Sequence, residues 1–189
     1  MYNNTAYRIT RAKACLVVVD MQERLLPAIF ERERLVHNVV LLARAAAVMG
    51  LPIFATEQYR KGLGPTVPEV AAAISGFAPV EKVGFSACSG PGFIAGLEYH
   101  RISDIILCGI EAHVCVLQSC FDLLEQKCRV FVVADAISSR SAESHEFAVE
   151  RMRDARATIV STEMIVFELL QRAGTDEFKK VLPLLKEPQ

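Results

Sequence analysis

A cysteine placed where a buried strand gives way to a helix is the residue of this chain best suited to covalent chemistry. Residues 105–117 read I-I-L-C-G-I-E-A-H-V-C-V-L, an apolar run that breaks at Gly109 and brings Cys115 to the start of a helical pattern. Backbone N–H groups at a helix N-terminus favour thiolate over thiol and can bind an oxyanion. The segment predicts a nucleophile beside an oxyanion hole, with a small buried apolar side chain as the alternative role of Cys115.

Two further polar residues lie at the ends of apolar runs. Asp20 directly follows C-L-V-V-V, and Lys82 lies within V-E-K-V-G-F-S. A buried carboxylate and a buried ammonium are each costly to desolvate unless they are paired. Because parallel strands end at one edge of a sheet, we expect both to meet Cys115, with Asp20 as general base and Lys82 supporting the thiolate. A structural Asp–Lys ion pair that closes the sheet edge is an equally good interpretation.

The elements that position these residues alternate between Val/Ile-rich runs and amphipathic segments. This alternation predicts a doubly wound open α/β sheet of about six mostly parallel strands with helices on both faces. The predicted strands are 15–19, 52–56, 80–83, 105–108, 130–133 and 158–160. The predicted helices are 32–49, 93–100, 116–127, 145–155, 163–172 and 177–185. Residues 57–67 are expected to form a long loop at the ligand crevice, beyond a strand end.

Length and composition limit the kind of protein this is. A chain of 189 residues with 52% hydrophobic residues predicts a single domain over residues 1–189. The net charge of −1, without a basic stripe, disfavours nucleic acid as a partner and leaves a small molecule or further copies of the chain. Six cysteines without a CxxC pair or a signal peptide are typical of reduced thiols in the cytoplasm.

Cofactor and membrane signals are weak in this sequence. The four histidines are scattered singly, without a metal-binding spacing, and no phosphate-binding GxxxxGK[ST] motif occurs. We therefore expect neither a metal nor a cofactor. No apolar run approaches the roughly 20 residues that cross a bilayer, so no membrane association is expected.

Five motifs, in order, resemble those of the isochorismatase-like cysteine hydrolases, and within them the group related to isochorismatase domain-containing proteins. The resemblance covers nearly the whole chain. It implies a doubly wound α/β fold with an Asp-Lys-Cys triad, which falls on Asp20, Lys82 and Cys115. The motifs are V-V-V-D-M-Q-E (17–23), T-E-Q-Y-R-K-G-L-G-P-T-V-P-E (56–69), E-K-V-G-F-S (81–86), G-I-E-A-H-V-C-V (109–116) and D-A-I-S-S-R-S (135–141).

The resemblance also implies how an oxyanion is held. It implies a cis peptide bond between Ile110 and Glu111, which would direct the Glu111 N–H to the oxyanion beside the Cys115 N–H.

Residues near the expected strand ends are candidates for substrate binding. For Phe85, packing in the core is the alternative role. These candidates are Gln22, Glu57, Tyr59, Phe85 and His113.

Two departures from related sequences narrow the expected reaction. Nicotinamidases of this family carry an Asp-x-His metal motif after the second strand, whereas residues 57–59 here read Glu-Gln-Tyr. The isochorismatases proper resemble this chain at 112–113 but lack a cysteine at the position of Cys115. The resemblance therefore implies a cysteine-dependent hydrolase that cleaves a small amide or related C–N bond through a thioester.

A second hypothesis is a catalytically weak family member that acts mainly as a homo-oligomeric interaction protein. The apolar side of segment 178–185 is compatible with contacts between copies, or with capping of the core. A thiol-based redox sensor is less favoured. Cys120 lies five residues after Cys115, which in a helix places it off to one side.

Overall fold

The computed structural model describes residues 7–187 and contains one sheet of six parallel strands. The strands lie in the order β3-β2-β1-β4-β5-β6. They are β1 (Ala14–Val19), β2 (Ile53–Gln58), β3 (Val80–Lys82), β4 (Asp104–Gly109), β5 (Arg129–Ile137) and β6 (Thr158–Val160). The α-helices are α1 (Arg32–Val48), α2 (Arg60–Leu63), α3 (Pro68–Ala73), α4 (Phe93–Tyr99), α5 (Leu117–Glu125), α6 (Ala142–Asp154), α7 (Thr162–Leu170) and α8 (Asp176–Leu185).

The sheet separates two hydrophobic cores, which explains why its central strands are apolar throughout. Successive side chains of a strand point to opposite faces. Leu16 and Val18 of β1 pack with α1, α3, α7 and α8, whereas Cys15 and Val17 pack with α4, α5 and α6. All six residues of β1 and of β4 are buried. The predicted doubly wound α/β fold is confirmed.

All six predicted strands are present, but two helices were not predicted. The segment 57–67, expected to be a loop, contains the single turn α2, which is too short to show a helical period. Pro68 occupies the first turn of α3, a position where its missing N–H costs nothing. Helix α6 also begins three residues earlier than predicted, because the Ser141 side chain caps it by accepting from the Ser144 N–H.

The apolar side of α8 packs inside the chain. Val181 and Leu184 are buried in the same core as α1, and Phe178 is partly buried against it. Of the two roles considered for this segment, contacts between copies or capping of the core, the structure shows that Val181 and Leu184 belong to the core. The reason is that α1 and α3 leave apolar surface on this face of the sheet, and α8 packs on α1.

Strand order places the crevice between β1 and β4. From β1 the chain moves outward through β2 to β3, then returns to the centre and proceeds through β4 and β5 to β6 on the other side. The loops after β1 and β4 therefore diverge, and open α/β sheets bind ligands at such a point. Asp20 follows β1 directly, and Cys115 follows β4 by six residues.

Gly109 lets the end of β4 approach β1 closely. Its φ is +111°, and a Cβ at this position would lie 2.1 Å from the Val19 carbonyl oxygen and 2.6 Å from the Val19 nitrogen. The pairing register with β5 also shifts between Leu107 and Gly109. The following residue is then fixed by the Ile110 N–H, which donates to the Val19 carbonyl at 2.9 Å. Only glycine fits this junction without backbone movement.

We expect Gly109→Ala to lower the free energy of unfolding by about 3 kcal/mol or more, since it combines an unfavourable φ with a backbone clash. Gly76→Ala is the matched control, because its φ is +66° and a Cβ there meets nothing within 4 Å. Gly76→Ala tests the effect of the positive φ alone and should lower the free energy of unfolding by about 1 kcal/mol. Urea denaturation of both variants measures the difference, and equal losses would contradict the clash.

Candidate active site

A fully buried ion pair lies at the carboxyl edge of the sheet. The Lys82 ammonium donates to Asp20 Oδ2 at 2.7 Å, and both side chains are 0% exposed. Thr56 Oγ1, on β2, donates to the other carboxylate oxygen, Oδ1, at 2.7 Å. Three neighbouring strands thus fix one carboxylate, and its orientation is set before any ligand binds.

The Lys82 ammonium is held by three close acceptors. Besides Asp20, it donates to Gln58 Oε1 and to the Phe85 carbonyl, each at 2.8 Å. The Gln58 amide in turn donates to the Val83 carbonyl at 2.6 Å, and its backbone N–H donates to Gln22 Oε1 at 2.7 Å. Because an ammonium has three protons, these contacts satisfy it completely.

Thr56 and Gln58 are site residues that the sequence analysis missed. They stand two apart at the carboxyl end of β2, and such residues share one face of a strand. Their polarity at the end of a buried strand was the available signal.

Cys115 lies in a π-helical turn, Ala112–Val116, that leads directly into α5. The residue is only 5% exposed. Burial, followed by the negative charge of Asp20, raises the pKa of the thiol to about 12, while the positive charge of Lys82 acts in the opposite direction. Burial and the Asp20 charge thus oppose the preference for thiolate that a helix start provides.

Consecutive residues of the loop after β5 hold residues 111–116, called here the nucleophile turn after the role predicted for Cys115. The Ala112 N–H donates to the Ser138 carbonyl at 2.7 Å, and His113 Nδ1 lies 2.9 Å from Ser139 Oγ. The peptide bond between residues 110 and 111, at the start of this turn, is cis. The Val114 and Val116 N–H groups both donate to the Glu111 carbonyl at 3.1 Å.

A serine connects this turn to the lysine segment. Ser119 Oγ donates to the Cys115 carbonyl at 2.6 Å and accepts from the Ala87 N–H at 2.7 Å. Ser119 itself is fully buried in α5. The backbone of the nucleophile is therefore joined to the segment that follows Lys82 by one hydroxyl group.

The five candidate substrate-binding residues divide into two groups. Gln22 and Glu57 are 0% exposed, whereas Tyr59 is 56% and Phe85 is 52% exposed. His113 is half-buried in the nucleophile turn. The Gln22 side chain is fully engaged, because its amide also donates to the Gln58 and Gly64 carbonyls at 3.0 and 2.6 Å. The alternative role of Phe85 in the core is not observed.

Charged groups around this edge occur in pairs. Glu57 Oε1 accepts from the N–H and the hydroxyl of Thr66 at 2.7 and 2.9 Å, and its Oε2 lies 3.0 Å from Arg60 Nη1. Glu111 Oε2 accepts from Arg140 Nε at 2.8 Å. Arg60 Nη1 also lies 3.8 Å from Glu81 Oε1, so that with Asp20–Lys82 four ion pairs lie at this edge.

Two general properties bear on cofactors and membranes. Across residues 7–187, no group of three or more His, Cys, Asp or Glu side chains is arranged to hold a metal ion. None of the helices in that range combines the length and the apolar character that a membrane span requires.

Comparison with known proteins identifies the family. Residues 14–164 match the isochorismatase domain. Isochorismatase domain-containing protein 2 of Danio rerio is 38% identical over 181 residues, which cover 96% of this chain and 91% of that protein. The chain belongs to the isochorismatase-like hydrolase family, as its motifs predicted.

Solved structures agree with this assignment. A structure described as the MAR1 ribonuclease of Caenorhabditis elegans is 36% identical, with a TM-score of 0.90 and coverage of 96% of this chain and 95% of that one. The YcaC gene product of Escherichia coli, described as an octameric hydrolase of unknown specificity, is 25% identical with a TM-score of 0.88. That match covers 94% of this chain and 89% of the bacterial one.

Removal of the Asp20 charge should make the Cys115 thiol more reactive toward alkylation, although the same substitution is expected to slow turnover. Asp20→Asn removes a negative charge that raises the pKa of Cys115 and leaves Lys82 to favour the thiolate. We expect iodoacetamide to label Cys115 roughly tenfold faster at pH 8 in this variant, since one pKa unit changes the thiolate fraction tenfold.

Site-resolved mass spectrometry measures this rate and supplies an internal control. Burial raises the pKa of Cys88 to about 11, and Asp20 is not among the groups that act on it. Its labelling rate should therefore be equal in wild type and Asp20→Asn. Slower labelling of Cys115 in the variant would contradict the charge effect, and parallel changes at both cysteines would indicate loosened structure.

Proposed function

We propose that this protein is a cysteine-dependent hydrolase that cleaves an amide or related C–N bond of a small molecule through a thioester intermediate. The observation that carries the proposal is the junction of Asp20, Lys82 and Cys115 at one edge of the sheet. The Asp20 carboxylate contacts the ammonium directly, and its negative charge raises the pKa of the Cys115 thiol. Membership of the family supports the same role.

The raised pKa of Cys115 defines the role of Asp20. A thiol with a pKa of about 12 is protonated at neutral pH, so its proton must leave as sulfur attacks. Asp20 accepts that proton while Sγ bonds to the carbonyl carbon, then donates it to the departing amine as the C–N bond breaks. Asp20 next takes a proton from water, which attacks the thioester. Acid is released, and the proton returns to the sulfur.

The backbone N–H groups of Glu111 and Cys115 are the proposed oxyanion donors. They belong to the turn that carries the nucleophile, and the turn is supported from both sides. The Ala112, Val114 and Val116 N–H groups are occupied by protein carbonyls. A pair of fixed donors stabilises a tetrahedral intermediate because they need no reorganisation when the negative charge forms.

The rim of the site favours a small uncharged amide with an apolar edge. Val83, Tyr59 and Phe85 expose 79%, 56% and 52% of their surface beside the buried triad. Asp20, Glu57 and Glu111 are each paired with a cation of the chain, so these three carboxylates do not face a ligand as free charges. We assign Tyr59, Phe85 and His113 to substrate contact, and the buried Gln22 and Glu57 to shaping the rim.

Substitution of the triad should separate chemistry from folding. Cys115→Ala should abolish release of amine from any amide substrate, and Asp20→Asn should lower kcat by at least about a hundredfold through loss of the base. Wild type mixed with substrate and quenched with acid should show the mass of an acyl group on Cys115. Turnover by Cys115→Ala at the wild-type rate would disprove the mechanism.

Thr56→Val is a matched variant for the orientation of the carboxylate. It keeps the shape of the side chain and removes only the hydroxyl that donates to Asp20 Oδ1. We expect kcat to fall about fivefold to twentyfold, in line with loss of one buried hydrogen bond to a charged group. Circular dichroism should show an unchanged fold, and unchanged kcat in a folded variant would contradict an orienting role.

Assembly into a homo-oligomer is a second part of the proposal. A relative of similar structure is described as octameric. Phe147 of α6 and Met164 and Phe167 of α7 expose 57%, 53% and 41% of their surface. Light scattering after size exclusion should give a mass that is a multiple of 20.9 kDa. A mass of one chain at micromolar concentration would contradict assembly.

A further inference from the structure

Arg140 is joined to the nucleophile turn by an ion pair that the proposed reaction does not yet use. Its Nε donates to Glu111 Oε2 at 2.8 Å. The Arg140 side chain is 65% exposed, whereas the Glu111 side chain is only 14% exposed. An exposed cation thus reaches inward to a largely buried carboxylate, and that carboxylate belongs to a proposed oxyanion donor.

Arg140 is the third consecutive residue of the loop after β5 that contacts this turn. Ser138 and Ser139 bind Ala112 and His113 of the same turn, through the 2.7 Å and 2.9 Å contacts described above. The loop is itself fixed on its other side, because Ser138 Oγ donates to the Phe30 carbonyl at 2.6 Å. Arg140 therefore extends from an anchored loop, so its guanidinium is directed toward Glu111 by the backbone.

The carboxylate of Glu111 is unfavourable for the chemistry beside it. Its negative charge raises the pKa of the Cys115 thiol. A thiolate and a tetrahedral oxyanion are both negative, so an uncompensated carboxylate destabilises each of them. A cation paired with the Glu111 carboxylate reduces its destabilising effect on the thiolate and on the oxyanion. The pairing is strongest where the carboxylate is shielded from solvent.

We propose that Arg140 is a positioning residue of the active site, which neutralises the Glu111 carboxylate and thereby allows negative charge to develop on Cys115 and on the oxyanion. The inference rests on the proposed cysteine-dependent function and adds a charge-balancing residue to it. Arg140 acts through Glu111 and touches no reacting atom. Glu111 contributes its backbone N–H to the oxyanion hole, while the negative charge of its side chain is compensated by Arg140.

Other ionisable groups near the turn are already accounted for. Asp20 and Lys82 act on the thiol with opposite signs. His113 binds Ser139, and His145 of α6, the helix packed against this turn, lies 3.0 Å from the Ala134 carbonyl. Glu111 is therefore the charge whose compensation depends on Arg140.

Opposite substitutions in one ion pair test the proposal. We expect iodoacetamide labelling of Cys115 at pH 8 to slow about threefold in Arg140→Gln and to quicken about threefold in Glu111→Gln, as expected for partly screened charges. Arg140→Lys should restore most of the wild-type rate, since it keeps the charge. The double variant with both substitutions should label at about the wild-type rate, because the two charges act on the thiol in opposite directions and both are removed.

A purely structural clamp predicts a different pattern. If the ion pair only held the turn in place, both single variants would expose the buried thiol and both would label faster. Changes in the same direction would therefore overturn the proposal, as would an unchanged rate in Arg140→Gln. Arg172→Gln, an exposed arginine beyond α7, is the control and should label at the wild-type rate.

The test also separates this inference from the proposed function. Labelling reports the charge around Cys115 and needs no substrate. If Cys115→Ala retained full hydrolysis, the proposed function would fail whatever the labelling showed. If Cys115 proved essential but the Arg140 and Glu111 variants labelled alike, only the role of Arg140 would fail.

Discussion

The buried ion pair between Asp20 and Lys82 is the constraint on which the rest of the site depends. Neither side chain is exposed, and removal of one partner from such a pair leaves an uncompensated buried charge at a cost of about 3–5 kcal/mol. The surrounding polar groups therefore serve stability as well as chemistry. Thr56, Gln58 and the Phe85 carbonyl complete the hydrogen bonding of the pair. This arrangement fixes the orientation of the carboxylate at the carboxyl edge of the sheet.

The parallel sheet makes this pair possible although its members are 62 residues apart in sequence. Strand order brings β1 between β2 and β4, so the residues that follow these strands converge without long loops. Gly109 then allows the chain after β4 to turn beside Val19, and the nucleophile turn begins there. Backbone geometry thus brings the thiol to the carboxylate.

The fold could be predicted from the sequence because burial on both faces makes the strands read as continuous apolar runs. Asp20 and Lys82 could be selected because a charge at the end of such a run needs a partner. The supporting residues Thr56 and Gln58 carry only a weak signal of this kind, since a neutral polar residue at a strand end is common. The pKa of Cys115 could not be predicted, because the sequence shows a helix start but not the depth of burial or the distance to Asp20.

The segment between Lys82 and Ala87 is held at both ends by hydrogen bonds to residues of the site. Its backbone is hydrogen-bonded to buried residues of the site. The Val83 and Phe85 carbonyls accept from Gln58 and Lys82, and the Ala87 N–H donates to Ser119. Val83 and Phe85 nevertheless direct most of their side-chain surface outward. The backbone of this short peptide thus supports the ion pair, while two of its side chains form outer surface. Substitution of Val83 or Phe85 would therefore change that surface, while the backbone carbonyls that accept from Gln58 and Lys82 would remain in place.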